Sequence, residues 1–463
     1  MLNKDFIESC QKILGKDNIL TEKAELVTYS YDATPGIPRE IPAAVLFPKN
    51  TGEVQEIVKL CNRHKVPIYP RGAGTCLSGG PVPISRGIVM SFQRMNRILE
   101  IDVDNLTATV QPGVVVATLN AEVAKYGLLY PPDPGSMAVA TIGGTIAENS
   151  GGLRGLKYGV TKHYVMGMEV VLPTGDVFRF GGKTVKNVTA YDFTGLFVGS
   201  EGTLGIVTEV ILKLIPAPKY RKSIIAFFER LEDAGQTVTD IIRSHVIPAT
   251  LEIMDNMTIR TVENFARVGL PATVAALLLI EVDGNGQDGV AEETAKIVEA
   301  IERNGGQYKV AETDQERDAL WAARRAALPA LAQVKPATVL EDATVPRTKI
   351  VDMLKAIQEI AKKYNLTVGT FGHAGDGNLH PTFLVDPTDR DEMARLDRAI
   401  DEVFDVALKL GGTLSGEHGI GIAKKKYLRN ELGDSGIEVM KRLKRALDPD
   451  NILNPGKLVP MEK

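Results

Sequence analysis

Hydrophobic and polar residues follow two different patterns along the chain, and the change falls near its middle. In the first half, short apolar runs alternate with turns rich in glycine and proline, which is typical of many short strands. Apolar residues three or four positions apart indicate a few helices among them. The pattern predicts helices at 4–14, 54–64 and 114–126 and strands at 43–47, 67–69, 87–91, 108–111, 165–172 and 205–214.

The change of pattern coincides with the segment Pro216-Ala-Pro218. Beyond it the predicted elements are longer, with an apolar strand at 275–282, and the chain ends in a turn-rich stretch. The sequence therefore predicts a first domain at 1–217, a second domain at 218–447 and a C-terminal segment at 448–463. The predicted helices of the second domain lie at 231–244, 290–303, 349–364 and 390–410.

Composition and charge exclude several classes of protein. The 463 residues carry a formal net charge of −4, which gives no electrostatic reason to expect a nucleic-acid partner. The three cysteines, Cys10, Cys61 and Cys76, form no C-x-x-C pair, so they cannot ligate a four-cysteine iron–sulfur cluster or build a disulfide framework. We find no apolar signal core and no run long enough to form a transmembrane segment, so we expect a cytoplasmic protein.

One glycine motif in the second half matches a dinucleotide-binding fingerprint. Gly284, Gly286 and Gly289 fit G-x-G-x-x-G and follow an apolar strand. However, four acidic residues surround the position that a pyrophosphate would occupy, and their charge would repel it. We interpret the motif as a polar turn before a helix with an acidic start. The acidic residues are Asp283, Asp288, Glu292 and Glu293.

A second glycine pattern is spread over three segments of the first half, at 70–80, 131–136 and 141–152. Successive glycines allow backbone N–H groups to turn inward and bind an anion, and they let the backbone approach a large flat cofactor. Each segment alone is an ordinary glycine-rich turn. Three of them within about eighty residues favour a shared binding function, since the local choices agree with one another.

These segments, together with Tyr158-Gly159 and the stretch 201–207, resemble the FAD-binding domain of the vanillyl-alcohol-oxidase/p-cresol-methylhydroxylase (PCMH) group. The second half resembles the FAD-linked D-2-hydroxy-acid dehydrogenase branch of that group, which includes D-lactate dehydrogenases and the flavin subunit of glycolate oxidase. The resemblance implies an α+β fold, with a PCMH-type FAD-binding domain at 1–217. It implies an α/β substrate (cap) domain with an antiparallel sheet at 218–447, and a segment at 448–463 that returns to the first domain.

The resemblance also implies which residues contact FAD. The loop at 71–80 would hold the pyrophosphate, and because it lacks a histidine we expect FAD to bind non-covalently. The segments at 132–136 and 143–152 would line the isoalloxazine and the ribityl chain, and the stretch 201–207 would approach the adenine. The implied FAD contacts are Arg71, Gly72, Ala73, Gly74, Thr75, Ser78, Gly79, Pro132, Asp133, Gly135, Ser136, Gly143, Gly144, Thr145, Asn149, Ser150, Gly152, Tyr158, Gly159, Glu201, Gly202, Gly205, Ile206, Val207 and Asn454.

Two histidines flank a predicted hairpin near the C-terminus. If Asp376-Gly377 forms a two-residue turn, His373 and His380 face each other directly across the strands. Their Cβ atoms would then lie about 4.5–5.5 Å apart, close enough for both imidazoles to bind one metal ion. A hydrogen-bonded histidine pair without a metal is the alternative interpretation.

The adjacent residues Glu417 and His418 lie in another glycine-rich stretch, and in an extended loop their side chains would point apart. Glu417 could then face a metal while His418 faces a substrate. Two histidines and one carboxylate leave coordination positions open, as in a catalytic metal site. The resemblance implies that His373, His380 and Glu417 are the metal ligands and that His418 is the catalytic base. The ligand set does not distinguish zinc, iron and manganese.

A predicted helix carries Trp321-Ala-Ala-Arg324-Arg325, and a guanidinium can bind a carboxylate through two parallel hydrogen bonds. A solvated helix arginine is the alternative. The resemblance implies that Arg324, rather than Arg325, binds the carboxylate of the substrate. Some relatives have a lysine near position 340, where this chain has Leu340, and this departure favours a small monocarboxylate over a dicarboxylate.

The resemblance therefore predicts an FAD-dependent oxidation of a small D-2-hydroxy acid to the 2-oxo acid, with D-lactate the first candidate and glycolate the second. His418 would take the hydroxyl proton while a hydride passes to the flavin. Since the cysteines cannot hold a cluster, the electrons require an external acceptor such as an electron-transfer flavoprotein or an iron–sulfur subunit. The alternatives are a transferase of the ether-lipid synthase type and a non-catalytic FAD subunit of a larger oxidase.

Overall fold

The computed structural model describes residues 4–461, and these residues form two compact units. Unit 1 contains the chain up to Gly151, Val160–Ala217 and the residues from Glu417 onward. Unit 2 contains Gly152–Gly159 and Pro218–Gly416. The chain thus leaves unit 1 after Ala217 and enters it again at Glu417.

The last long helix of the chain, Leu428–Leu447, belongs to unit 1. Lys444 on this helix is almost fully buried in unit 1. Its ammonium donates hydrogen bonds to the backbone oxygens of Thr203 and Leu453 and forms an ion pair with Asp448. A charge can be buried only when it is paired in this way, so these contacts hold the helix in unit 1.

Unit 1 contains a small sheet that is mostly parallel and a larger antiparallel sheet. The small sheet has the order β1-β2-β4-β3, and the larger has the order β5-β6-β10-β8-β9. Strands β11 and β7 form a separate pair. The strands are β1 (Ile19–Leu20), β2 (Ala44–Leu46), β3 (Ile68–Arg71), β4 (Ile88–Ser91), β5 (Ile98–Asp102), β6 (Thr107–Val110), β7 (Leu128–Leu129), β8 (Val165–Val171), β9 (Val177–Gly181), β10 (Ile206–Lys213) and β11 (Ile215–Pro216).

The core of unit 1 forms where amphipathic helices cover the small sheet. Helix Lys4–Leu14 buries Phe6 and Cys10, and Cys61 of helix Thr51–His64 belongs to the same cluster. The other α-helices of unit 1 are Lys23–Val27, Val116–Ala124, Ile142–Glu148, Phe193–Phe197 and Leu428–Leu447, and its 3₁₀ turns are Lys16–Asn18, Thr161–His163 and Lys425–Tyr427.

Unit 2 is built on one eight-stranded sheet with the order β15-β12-β14-β13-β18-β19-β16, and β17 also pairs with β19. Every pairing in this sheet is antiparallel. The strands are β12 (Tyr220–Phe228), β13 (Thr250–Asp255), β14 (Ala276–Gly284), β15 (Gln307–Val310), β16 (Ala337–Leu340), β17 (Ala343–Thr344), β18 (Thr367–His373) and β19 (Asn378–Val385).

Helices cover both faces of this sheet, which explains why its central strands are buried along nearly their whole length. One buried cluster includes Ile297 and Met353, and a separate one includes Ile259, Trp321 and Leu331. The α-helices of unit 2 are Gly155–Tyr158, Leu231–Arg243, Asn256–Ala266, Gln287–Arg303, Asp314–Arg325, Ala327–Leu331, Ile350–Lys363 and Arg390–Lys409, and its 3₁₀ turn is Arg347–Lys349.

The two units together confirm the expected α+β class with an antiparallel sheet in the second half. The surroundings of β14 also explain the glycine motif that follows it. Both neighbours of β14 run antiparallel to it, whereas a Rossmann unit requires a parallel β-α-β crossover. Among residues 4–461, no helix has the length and apolarity that a membrane crossing needs.

Candidate functional site

The predicted pyrophosphate loop begins at Arg71, the last residue of β3. Gly74 and Gly79 have φ angles of +78° and +81°, which side chains rarely adopt. A Cβ atom at Gly72 would collide with Thr141 Oγ1. Arg71 is buried, and its Nη1 has no hydrogen-bond partner among the described residues. A buried donor without a partner beside a glycine-rich backbone fits a pyrophosphate, which would accept that hydrogen bond.

The segment that faces this loop is the short helix Ile142–Glu148 with its two ends. Thr141 caps the helix by accepting a hydrogen bond from the amide of Gly144, at 3.3 Å. Asn149 ends it in the left-handed conformation, and its Oδ1 accepts a hydrogen bond from the Lys162 amide at 2.9 Å. We call residues 71–80 and 141–149 together the glycine cradle.

A buried acid lies against the glycine cradle. Cys76 donates a hydrogen bond from Sγ to the Glu148 carboxylate at 3.3 Å, and Glu148 Oε2 has no partner in the described chain. Burial raises the pKa of Glu148 well above its ordinary value, and the nearby carboxylate of Glu201 adds to that effect. The pKa of the Cys76 thiol is also raised by burial, which argues against a reactive thiolate.

Two of the predicted FAD residues bind neighbouring backbone. Glu201 accepts hydrogen bonds from the amides of Ile420 and Gly421, both at 2.8 Å. Asn454 donates to the backbone oxygens of Gly80 and Glu201, at 3.0 and 2.7 Å. These hydrogen bonds therefore connect four separate parts of unit 1, at residues 80, 201, 420–421 and 454.

The other predicted contacts of unit 1 lie in a turn and a strand start. At 132–136, the Met137 amide donates to the backbone oxygen of Pro134 at 2.8 Å, and a Cβ at Gly135 would meet open space. Gly205 precedes β10, where a Cβ would collide with Val170 and Phe197. Ile206 and Val207 begin β10 and pair with β8.

Three predicted FAD residues, Gly152, Tyr158 and Gly159, belong to unit 2. The hydroxyl group of Tyr158 donates to the Asp283 carboxylate at 2.8–2.9 Å, and Lys157 pairs with the same carboxylate at 2.6 Å. Asp283 is one of the acidic residues around the Gly284 motif. It thus has a structural role as the partner of the 152–159 segment.

The histidine hairpin in unit 2 has a different register from the predicted one. His373 pairs with Asn378, and Phe371 pairs with His380, so the two histidines are not direct cross-strand partners. The turn contains four residues, 374–377, and the Gly377 amide donates to the His373 carbonyl oxygen at 3.0 Å. The prediction of a two-residue Asp376-Gly377 turn is therefore wrong.

The two histidines nevertheless share one face of the sheet. The shift is two residues, and side chains alternate between faces with a period of two, so both imidazoles stay on the same side. They are diagonal neighbours, with ring centroids 5.1 Å apart, and each offers a nitrogen within 4.8 Å of the other. Both side chains are buried. This geometry brings two metal-ligating groups together.

Arg324 lies buried at the end of helix Asp314–Arg325 and belongs to this cluster. Its Nε and Nη2 lie 2.7 and 2.6 Å from Glu252 Oε2, and its guanidinium stacks on Phe371, with 4.7 Å to the ring centroid. Glu252 Oε1 is 2.6 Å from His373 Nδ1. We call Glu252, Arg324, Phe371, His373 and His380 the carboxylate–histidine network. The structure thus excludes a solvated helix arginine at Arg324.

Sequence reasoning missed Glu252, although a signal was present. It stands inside the otherwise apolar run Leu251-Glu252-Ile253-Met254, all of whose residues are buried in β13. Burial raises the pKa of Glu252, but its interactions with His373 and Arg324 outweigh burial and set that pKa below the ordinary value. A charged residue in a fully buried strand needs a partner, and here it has two.

A second carboxylate that was not predicted is Asp342, which is buried beside His380. It accepts hydrogen bonds from Asn378, from the Ser415 hydroxyl group at 2.6 Å and from the Gly416 amide at 3.0 Å. Asp342 therefore fixes the chain at Gly416, the residue directly before Glu417.

Glu417 and His418 are the first residues of the last segment of unit 1. They lie in an irregular turn, and Glu417 Oε1 is 3.8 Å from His418 Nε2, so the two side chains do not point apart as an extended loop would require. Gly419 follows with φ +82°, and a Cβ there would collide with Glu148.

Two models of protein families match the chain. The C-terminal domain of FAD-linked oxidases matches residues 217–458, and an FAD binding domain matches residues 42–181. A glycolate oxidase subunit of Bacillus subtilis is 53% identical over 460 residues, which cover 99% of this chain and 97% of the relative. A D-lactate dehydrogenase of Anaerostipes hadrus is 39% identical over 90% of this chain and 89% of its own.

Solved structures show the same fold at low sequence identity. p-Cresol methylhydroxylase superposes with a TM-score of 0.82 at 22% identity, covering 98% of this chain and 96% of the other. An alkyldihydroxyacetonephosphate synthase gives a TM-score of 0.79 at 22% identity, covering 98% and 86%. The expected PCMH-type fold is thereby confirmed.

Proposed function

The chain belongs to the FAD-linked oxidase family, and from that premise we propose that it oxidises a small 2-hydroxy monocarboxylate, glycolate or D-lactate, to the 2-oxo acid. The observation that supports the proposal is the buried carboxylate–histidine network, in which Glu252 links the Arg324 guanidinium to His373, whose ring centroid lies 5.1 Å from that of His380. The relatives named for glycolate and D-lactate support these two acids.

We propose that the glycine cradle holds the FAD pyrophosphate, with Arg71 Nη1 as a charged donor. The collision that a Cβ would cause at Gly72 and the positive φ of Gly74 and Gly79 support this role. FAD, when bound, supplies the acceptor for the hydride that leaves the α-carbon. The cradle loop has no histidine, which favours non-covalent binding.

Arg324 would bind the substrate carboxylate, because a guanidinium matches it in shape and charge. His418 would accept the proton of the substrate hydroxyl group, since a neutral imidazole is a base suited to neutral pH. Leu340, at the end of β16, packs against the apolar cluster that contains Phe371, and it offers no charge to a second carboxylate. A small monocarboxylate is therefore favoured.

We propose His373, His380 and Glu417 as ligands of one divalent metal ion, zinc, iron or manganese. Two imidazoles whose nitrogens lie within 4.8 Å of each other fit such an ion. The hydrogen bond from the Gly416 amide to Asp342 fixes the backbone directly before Glu417, which supports Glu417 as the third ligand. A divalent ion in this position supplies Lewis acidity, which lowers the pKa of a bound alcohol.

The reaction also needs an electron acceptor outside this chain. The three cysteines are free, and three thiols are too few to ligate a four-cysteine iron–sulfur cluster. We propose a protein acceptor, an electron-transfer flavoprotein or an iron–sulfur subunit. The relative from Bacillus subtilis is itself named a subunit, which supports a multi-subunit assembly. Free cysteines also favour a cytoplasmic location.

Anaerobic mixing of the purified yellow protein with glycolate, D-lactate, L-lactate and D-2-hydroxyglutarate tests the proposal. We expect glycolate or D-lactate to bleach the flavin absorbance and the dicarboxylate to fail. His418→Ala should retain FAD but lower the reduction rate by roughly 10²–10⁴-fold, the usual contribution of a general base. Reduction at the wild-type rate in His418→Ala would remove His418 from its role, and no bleaching by any acid would refute the proposed function.

A further inference from the structure

Glu252 is the most buried member of the carboxylate–histidine network, with no exposed surface. It lies directly opposite His373 in the pairing of β13 with β18. One of its oxygens contacts His373 Nδ1 at 2.6 Å, and the other contacts Arg324 Nε and Nη2 at 2.7 and 2.6 Å. A single carboxylate thus joins the two residues to which the proposed function gives the metal and the substrate.

The contact with Arg324 decides which partner donates to which. A guanidinium is always protonated in proteins and has only donors, so the Glu252 oxygen that meets two of its N–H groups accepts both hydrogen bonds. The buried ion pair with Arg324 favours the ionised form of Glu252, and an ionised carboxylate has no donor to offer at its other oxygen. His373 must therefore carry a proton on Nδ1 and donate it to Glu252. In a neutral imidazole this leaves the lone pair on Nε2, the nitrogen that can bind a metal ion.

The same contact decides how Arg324 meets a substrate. Glu252 occupies the edge of the guanidinium that is formed by Nε and Nη2. The ring of Phe371 covers one of its faces at 4.7 Å. The edge formed by Nη1 and Nη2 is the one that Glu252 does not occupy, and it can also form two parallel hydrogen bonds to a carboxylate. A substrate carboxylate would approach Arg324 end-on, along that edge.

We propose that Glu252 is a positioning residue that sets the tautomer of His373 and the orientation of Arg324 at the same time. The naming of the metal ion and the substrate rests on the proposed function. The tautomer and the orientation rest on the contacts within unit 2. Through this shared carboxylate, loss of one side chain changes both metal binding and substrate binding.

Glu252→Gln is the informative variant, because it keeps the shape and removes one acceptor. A glutamine amide has one oxygen, so it cannot accept from His373 and Arg324 together. If its oxygen faces Arg324, its NH₂ faces His373 and forces the proton from Nδ1 to Nε2. Outer-shell partners of metal-bound histidines typically change metal affinity by about 10- to 100-fold when removed. Glu252→Asp keeps the charge with a shorter side chain and should recover part of the loss.

A matched control is available in unit 1. Glu169 is also a buried carboxylate on a central strand, and it binds Arg179 and the hydroxyl groups of Thr51 and Thr208. Glu169→Gln should therefore disturb packing to a similar degree. It should leave zinc binding and the KM for glycolate unchanged within about twofold, because its partners Arg179, Thr51 and Thr208 all belong to unit 1.

The experiment measures three quantities on the FAD-loaded protein. Nitrogen-15 NMR of histidine-labelled, metal-free protein reports the His373 tautomer, with His373→Gln providing the assignment. Titration with Zn²⁺ alone gives metal affinity, and steady-state kinetics give kcat and KM. We expect an Nδ1–H tautomer in the wild type, its loss in Glu252→Gln, about 10- to 100-fold weaker zinc binding and a larger change in KM than in kcat.

Two results would overturn the inference. One is an Nε2–H tautomer of His373 in the wild-type protein. The other is a Glu252→Gln variant with wild-type tautomer and zinc affinity. If Glu252→Gln fails to fold, the wild-type spectrum and Glu252→Asp still decide. If no hydroxy acid reduces the flavin but the tautomer depends on Glu252, the proposed function fails and the positioning role remains.

Discussion

The glycine cradle and the carboxylate–histidine network differ in whether backbone or side chains form them. The cradle is mainly backbone, where Gly72 approaches Thr141 and Gly74 adopts φ +78°. The network consists of side chains that project from strands and one helix, with distances of 2.6–2.7 Å between donor and acceptor atoms. An added atom should therefore harm the cradle, whereas a removed atom should harm the network. This contrast gives each region its own kind of damaging mutation.

The largest effect should come from truncation in the network. His373→Ala removes an imidazole and leaves Glu252 without one of its donors, so we expect the protein to lose the proposed metal ion. Lewis-acid stabilisation is worth several kcal/mol, so reduction of the flavin by glycolate should slow by roughly a thousandfold. FAD content should stay at the wild-type level. Metal analysis and stopped-flow absorbance of the same preparation measure both.

The matched control is His64→Ala, at the exposed end of helix Thr51–His64, where the ring packs on Phe6. This variant should keep its metal and its rate. The contrast between the two regions breaks down if His373→Ala loses FAD as well. If His373→Ala keeps full activity, and a chelator does not lower that activity, a metal ion has no part in the reaction.

A smaller effect should come from an added methyl group in the cradle. Gly72→Ala would place Cβ against Thr141 Oγ1, and overpacking of this kind costs about 1–3 kcal/mol. We expect FAD affinity to fall by roughly 5- to 150-fold, because 1.4 kcal/mol corresponds to a factor of ten. Flavin fluorescence during titration of the deflavinated protein gives the dissociation constant, while metal content should be unchanged.

Gly182→Ala is the control for this prediction, since a Cβ there meets no atom within 4 Å. It should bind FAD like the wild type. If both alanine variants bind FAD equally well, close approach of backbone at Gly72 has no part in cofactor binding. A combined loss of FAD and metal in Gly72→Ala alone would show that the two regions are not separable.

The same contrast explains what the sequence could predict. The cradle was visible because its glycines lie in three nearby segments, and a glycine pattern is a local property of the chain. The network was only partly visible, because Glu252 lies 72 residues from Arg324 and 121 residues from His373. Contacts over such separations depend on strand order, which the spacing of apolar residues does not give.

The hairpin shows the limit of local reasoning in one element. Asp376-Gly377 favours a tight turn, but the hydrogen bond from Gly377 to His373 closes a four-residue turn instead. His373 and His380 still lie on the same face of the sheet, because a register shift of two residues leaves each side chain on its original face. The hydrogen bonds from the amides of Ile420 and Gly421 to Glu201 join residues 219 and 220 positions apart, and such contacts leave no local signal in the sequence.

The smallest effect concerns the pH dependence of stability, which has opposite signs for Lys457 of unit 1 and Asp255 of unit 2. Burial lowers the pKa of Lys457 in unit 1 to about 7, although Glu201 partly offsets it. The unfolded chain, with a lysine pKa of about 10.4, binds more protons between these values, so the free energy of unfolding rises with pH. The slope contributed by Lys457 is at most about 1.4 kcal/mol per pH unit. Lys457→Met should flatten it between pH 7.5 and 9.

In unit 2, the contribution of Asp255 to stability depends on pH in the opposite direction. Burial raises the pKa of Asp255 to about 6, against hydrogen bonds from the amides of Thr258 and Thr370. Between about pH 4 and 6 the folded protein binds the extra proton, so the contribution of Asp255 to stability falls as pH rises. Asp255→Asn should therefore remove a fall in the free energy of unfolding between pH 4 and 6, whereas Lys457→Met should remove a rise above pH 7. If either variant keeps the wild-type slope in its own pH range, this assignment of the buried charges is wrong.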